Sequence, residues 1–211
     1  LTMINWIKNL FKKKNNTGSA PKTEPVPNIP EIPDSSKPTK KLKIAVVRGH
    51  GGTDSGASGQ GTNEVEYNTW CMKQIEAANI EGVKCFYGSN SIDAVTKSLP
   101  YLADLTIQLH LNSASPQAHG CEVLVLDGDT KSYPFAEKFA ADFCAKFSRR
   151  MRGDKGKKLL KSGDRGLSSL KLTLFGAKIL VEPFFISNKD DMVTKEDYTK
   201  FLISYIEEVQ K

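Results

Sequence analysis

The sequence predicts an α/β domain: a twisted, mostly parallel sheet of about five or six strands with helices on both faces. Three observations lead there. Short apolar runs recur at 42–48, 82–87, 105–111, 120–126 and 177–185. Segments with helical periodicity lie between them, at 64–78, 133–147 and 195–209. Strands that alternate with helices pack as a largely parallel sheet between helical layers. The 168 residues after position 43 are also enough chain to bury one core.

The chain of 211 residues opens with a leader of different character. Residues 1–14 place Ile4, Ile7, Leu10 and Phe11 at helical spacing, with Trp6 among them and Lys12–Lys14 after them. This short basic amphipathic segment reads either as a cationic surface anchor or as a terminal helix that frays or docks on the body. Its shortness favours the second reading. Residues 15–40 hold six of the ten prolines and read as an extended, semi-rigid linker. Residues 41–211 are the expected folded body.

Charge follows the same division. Nine Lys/Arg and three acidic residues give positions 1–43 the whole net charge of +6, and the remainder balances 21 basic against 21 acidic residues. A neutral body excludes the simple inference from basic pI to specific nucleic-acid binding. The leader instead suggests weak attraction to anionic polymers or a membrane surface. No stretch approaches the roughly 18 apolar residues of a membrane span. Leu1–Lys14 lacks a long apolar core and a small-residue cleavage site, so no signal peptide is expected and synthesis is expected in the cytoplasm. Cys71, Cys85, Cys121 and Cys144 form no CxxC pair and read as reduced thiols without a metal role.

Within the body, the strand ending at Arg48 runs into the Gly-rich loop Gly49–Gly61. That loop is not a phosphate cradle. A dinucleotide fingerprint needs glycine where Asp54 or Glu64 stands, and no Gly-Lys-Ser/Thr ending is present. The glycines are read as tight-turn residues that leave room around His50.

In sheets of this kind, reactive groups collect at the carboxyl ends of the strands. His50 follows the first strand, His110 ends the third, Glu182 lies near the end of the fifth, and Glu64 opens the helix after the Gly-rich loop. Two imidazoles and a carboxylate form a catalytic zinc set with a position left for water. Their wide separation in sequence leaves the metal reading and that of core or polar-network histidines both open.

The contexts of these residues carry a more specific signal. Gly49-His50-Gly51-Gly52-Thr53-Asp54-Ser55-Gly56-Ala57 is followed by Glu64-Val65-Glu66-Tyr67-Asn68, then Gln108-Leu109-His110-Leu111-Asn112-Ser113, then Asp164-Arg165-Gly166-Leu167, then Leu180-Val181-Glu182-Pro183-Phe184-Phe185-Ile186-Ser187-Asn188. These five blocks resemble, in the same order, those of the zinc-dependent N-acetylmuramoyl-L-alanine amidases of the Amidase_3 type. The resemblance runs from about Lys43 to the C-terminus.

The resemblance implies one Zn2+ held by His50, Glu64 and His110, with Glu182 as general base and then acid. The implied reaction is zinc-assisted hydrolysis of the amide joining N-acetylmuramic acid to L-alanine in peptidoglycan. The absent signal peptide and single small body suggest a phage or prophage lysin. A non-catalytic wall-binding module, or a zinc peptidase or deacetylase acting on another amide, are the competing readings.

Glu64 is preferred to Glu66 as ligand because the Glu-to-Asn spacing of four matches, and Glu66 would face another side of the helix. Arg165 is read as binding a substrate carboxylate or stabilising its loop. Asn112 and Asn188 are read as orienting site groups or capping backbone. His119 is read as an exposed loop residue. Two positions depart from the family pattern: Ser55 stands where proline is common, and Phe184 where a small residue is usual, which is expected to narrow the groove. Residues 146–165 carry nine basic and two acidic residues. This cluster is read as holding an anionic polymer or substrate carboxylate, or as a solvated mobile loop; it lacks the aromatic platforms of a single-strand nucleic-acid binder.

Overall fold

The apolar runs become the centre of one sheet. A computed structural model of the chain describes residues 40–211, which belong to one compact unit. The basic segment 1–14 and the Pro-rich linker, apart from its last residue, lie outside the described residues. The elements in order are β1 (Ile44–Arg48), a small hairpin of β2 (Ser58–Gly59) and β3 (Thr62–Asn63), α1 (Glu64–Ala77), β4 (Val83–Phe86), α2 (Ser91–Ser98), β5 (Leu105–Leu109), β6 (Glu122–Leu126), α3 (Tyr133–Phe147), β7 (Lys157–Leu160), α4 (Leu167–Leu172), β8 (Ala177–Glu182) and α5 (Lys195–Val209).

Six strands form the main sheet in the order β4-β1-β5-β8-β6-β7. The first four in that order run parallel. β6 and β7 are parallel to each other, but β6 opposes β8, with Glu122 across from Glu182 and Leu124 across from Leu180. The sheet is therefore mostly parallel with a single reversal. That reversal brings the amino ends of β6 and β7 to the same rim as the carboxyl ends of β1, β5 and β8.

Strand alternation divides the core between two faces. Ile44, Val46, Ile107, Leu109, Val123, Ile179 and Val181 join a large cluster with residues of α1, α3 and α5. An aromatic stack fills this layer: Phe143 meets Phe201 at 5.3 Å and Phe147 at 4.8 Å, and Phe139 meets Tyr205 at 5.1 Å. Phe184 belongs here as well, fully buried against Tyr67 and Tyr198. It thus reinforces the core under the site and does not narrow a groove. On the other face, Ala45 and Val47 meet α2, and Leu124, Leu160, Leu170 and Leu180 pack together beside α4.

Besides the small β2–β3 hairpin at the end of the Gly-rich loop, three elements were not expected from the sequence. Helix α2 carries a legible start signal, since Asn90 accepts the Asp93 N–H at 2.9 Å while Asp93 reaches back to the Ser89 N–H. Helix α4 is only six residues long. Strand β7 lies inside the basic cluster, where composition suggested a loop. Its Lys157 is buried and pairs with Glu137 from α3, so one charge of that run is satisfied inside the fold. Arg149 is likewise pinned: its Nε donates to the Asp191 carbonyl at 3.1 Å. All four cysteines are free thiols. No helix among the described residues is long and apolar enough to cross a membrane.

Candidate active site

Beyond β1 the backbone turns sharply. His50 sits in the left-handed region at φ 57°, fixed by its N–H donating to Ser91 Oγ at 2.9 Å. A non-glycine residue held there is strained, and such strain concentrates at functional sites. The turn aims the imidazole at the first residue of α1. His50 Nε2 lies 3.3 Å from Glu64 Oε2, and His110 Nδ1 lies 3.5 Å from Glu64 Oε1. The two rings meet edge-on with centroids 4.9 Å apart. Candidate ligand atoms of His50, Glu64 and His110 all lie within 4.8 Å of one another.

The surroundings fix each member of this trio. Glu64 is almost fully buried, and each of its oxygens accepts one backbone bond, from Ala57 N–H at 2.7 Å and Leu111 N–H at 2.7 Å. Burial pushes its carboxyl pKa up, but the His110 contact and these two N–H bonds outweigh burial and hold it below the ordinary value. The carboxylate is thus kept in the ionised form that a metal requires. His50 Nδ1 is 2.7 Å from Asp54 Oδ2, and that bond lowers the Asp54 pKa. Asp54 also accepts the Gly56 N–H at 3.0 Å. A carboxylate on the far nitrogen of a histidine is the usual way a metal ligand's tautomer and orientation are set. His110 Nε2 is buried without a hydrogen-bond partner. Such an orphaned ring nitrogen, two converging imidazoles and an ionised carboxylate form a donor set that fits a zinc ion.

Two glycines make the trio possible. A Cβ on Gly49 would lie 2.5 Å from His110 Nε2, and one on Gly56 would lie 2.6 Å from Glu64 Oε2 and 2.8 Å from His50 Cδ2. Gly56 also has a φ of 69°. Gly56→Ala is therefore expected to weaken zinc binding by at least tenfold while leaving the core intact. Equilibrium dialysis against zinc, with a thermal melt as the folding control, checks this; unchanged affinity would remove Gly56 from the site.

Glu182 ends β8, next to His110 across the β5–β8 ladder, where the His110 N–H donates to the Val181 carbonyl. Alternation puts it on the same face as Leu180. Burial, then the charges of Glu122 and Glu64, push its pKa up to about 7, against the opposing pull of Lys158 and Arg152. A carboxyl group tuned to neutrality beside a metal trio can both accept and return a proton at physiological pH.

Other expected residues fall as follows. Glu66 is exposed and points away from the trio, its carboxylate 3.4 Å from Thr62 Oγ1. Asn68, four residues after Glu64, is buried and donates to the Leu109 carbonyl, so it ties α1 to β5. Asn112 donates through Nδ2 to Glu122 Oε1 at 2.6 Å. Asn188 donates to the Ala118 carbonyl and accepts from the Asp190 N–H, so its amide is engaged with loop backbone. Arg165 is exposed in the loop between β7 and α4, beside Gly166, whose Cβ would lie 2.9 Å from Leu180 Cδ1. It takes part in none of the site's ion pairs among the described residues. His119 is exposed and bonded to the Gln117 carbonyl, outside the trio.

Sequence reasoning missed three contributors. Asp54 was within reach, as a carboxylate four residues after a candidate ligand. Glu122 was not, because only the reversed direction of β6 brings it beside Glu182. Asp191 is buried and binds the N–H groups of Gly120 and Phe185, clamping two loops at the rim.

Comparison with known proteins agrees with this architecture. A curated relative, the uncharacterized protein YqiI of Bacillus subtilis (strain 168), is 27% identical over 171 residues, covering 74% of this chain and 76% of its own. The amidase Ami1 from Mycobacterium smegmatis superimposes with a TM-score of 0.64 at 15% identity, over 79% of this chain and 96% of its own. The N-acetylmuramoyl-L-alanine amidase from Clostridium difficile 630 gives 0.63 at 18%, over 80% and 95%. The catalytic domain of the CD27L endolysin, which targets Clostridia difficile, gives 0.56 at 23%, over 79% and 97%. At these identities the structures speak for a shared fold. The family model described as N-acetylmuramoyl-L-alanine amidase matches residues 44–205, nearly the whole described body, and the chain belongs to that family, Amidase_3.

Proposed function

We propose that the chain hydrolyses the amide between the lactyl group of N-acetylmuramic acid and L-alanine in peptidoglycan, with His50, Glu64 and His110 holding one zinc ion and Glu182 moving the proton. The observation that carries this reading is the convergence of two imidazoles and an ionised carboxylate within 4.8 Å, one strand away from a carboxyl group tuned to about 7.

Zinc, when bound, polarises the scissile carbonyl and makes water a better nucleophile near neutral pH. The chain's own residues do the rest. Asp54 keeps His50 oriented with Nε2 towards Glu64. The N–H groups of Ala57 and Leu111 hold both oxygens of Glu64. Glu182 takes a proton from the attacking water on a carboxylate oxygen. As the carbon–nitrogen bond breaks, it returns that proton to the departing amine of L-alanine. Arg165, Asn112 and Asn188 are proposed as outer contributors: Arg165 by charge towards the substrate, Asn112 through Glu122, and Asn188 by shaping the loop it bonds.

A phage or prophage lysin remains part of this proposal; the fold shared with an endolysin domain fits it, and fits the bacterial amidases equally. The basic leader is proposed to add salt-sensitive attraction to anionic walls. The test is purified protein with zinc on intact walls, followed by labelling of new amino termini and mass spectrometry of the products. Release of N-terminal L-alanine is expected, and high salt should slow it. Binding without release would instead mean a wall-binding module, and a different new terminus would mean a peptidase or deacetylase.

A further inference from the structure

The sheet order sets the functional groups in a row. Along the rim come His50 after β1, His110 after β5, Glu182 on β8, Glu122 on β6, and then the start of β7. We propose that Arg152 and Lys158, at the β7 end of this row, bind a free carboxylate of the peptide on the leaving-group side of the scissile amide. They would make the enzyme selective for stem peptides whose second residue is a carboxylate and not a carboxamide. This deepens the amidase reading above and rests on it.

Arg152 enters the rim through the parallel bridge between Cys121 and Met151, and its N–H donates to the Cys121 carbonyl. Its guanidinium lies over the Phe185 ring, 4.9 Å from the centroid, and its Nε is 3.4 Å from Glu122 Oε1. Nε is buried but has no hydrogen-bond partner, and the same Glu122 oxygen already accepts the Asn112 amide at 2.6 Å. The group is thus held in place by an aromatic ring and a carboxylate, with its charge only partly answered. A planar guanidinium fixed in this way suits bidentate recognition of a carboxylate.

Lys158 is exposed and stands in register with Leu124, which is itself across from Leu180. Its side chain therefore emerges on the face that carries Glu182. Both cations pull the Glu182 pKa down, in keeping with that shared face.

Distances agree with the chemistry. β6 and β7 lie one and two strand spacings beyond β8, about 5 and 10 Å. A peptide whose amine sits at Glu182 spans about 7 Å over its first two residues. Its second residue then arrives between Glu182 and the two cations. An anionic group there would otherwise face Glu122 and Glu182, so selective acceptance of a carboxylate requires the neighbouring positive charges.

The experiment uses the full chain with zinc and two soluble muramoyl peptides that differ only in carboxylate or carboxamide at the second residue. Wild type is expected to prefer the carboxylate form by about tenfold or more in kcat/KM, mainly through KM. Lys158→Ala, at an exposed position that tolerates truncation, should reduce that preference severalfold. Arg152→Gln should reduce it further, and Arg152→Lys should restore only part of it. Equal cleavage of both peptides by wild type, or an undiminished preference in the variants, would overturn the proposal. Wild-type cleavage of neither peptide at the lactyl–alanine bond would overturn the amidase reading itself and this proposal with it.

Discussion

Glu182→Gln is expected to lower kcat by about a thousandfold, within the range of a positioned acid–base group, while zinc content stays at the wild-type level. The substitution keeps the shape of a side chain that makes no ligand contact in the trio, so the two readouts separate. Activity within tenfold of wild type would remove Glu182 from proton transfer.

The pH profile gives the same group a second signature. In the proposed mechanism Glu182 works first as a base, so only its ionised form would start the reaction. Burial and the Glu122 and Glu64 charges push its pKa up to about 7, and a bound dication moves it down again. Log kcat/KM should therefore rise with pH along an acid limb at or below about 7 and then level. Glu122→Gln removes one of the repelling charges and should shift that limb to lower pH. A limb that stays in place would mean that another group controls it.

Glu64→Ala is the second change with a large expected effect, and it acts on stability and metal together. It deletes a proposed ligand and orphans the N–H groups of Ala57 and Leu111, both now bonded to the buried carboxylate. Leaving two such donors unpaired costs about 2–5 kcal/mol. Zinc affinity should fall by more than about a hundredfold, since even outer-shell partners are worth about 10–100-fold. In wild type, saturating zinc should raise the melting temperature by mass action. The variant should melt lower without zinc and gain almost nothing from its addition. A full zinc-dependent rise in Glu64→Ala would place the metal elsewhere.

What could be read from the sequence follows from where each residue lies. β1, β5 and β8 are buried on both faces, so Ile44–Arg48, Leu105–Leu109 and Ala177–Glu182 appear as near-continuous apolar runs. The trio stands at the ends of β1 and β5 and the start of α1, which a one-dimensional reading locates well. β7 is an edge strand with the sequence Lys-Lys-Leu-Leu, and charge is how proteins protect such edges, so its composition imitates a loop. The partners of Lys157 and Arg149 come from α3 and from the turn at Asp191. No local pattern shows that those charges are satisfied. Glu122 was illegible for a related reason: a carboxylate at the amino end of a strand reaches the working rim only if the strand is reversed, and direction is a property of the assembled sheet.

That reversal has a consequence for how the domain can change. The proposed metal and proton groups come from the segments leaving β1 and β5 and from the end of β8. Their neighbours across the seam come from the amino ends of β6 and β7, Glu122 and Lys158, and from the segment before β7, which holds Arg152. Connecting segments vary in length and sequence more readily than the strands they join. On the proposed reading, the seam between β8 and β6 separates a fixed chemical engine from an interchangeable address, and retargeting such a hydrolase becomes a matter of changing the loop before β7 and the first residues of two strands on one side of it.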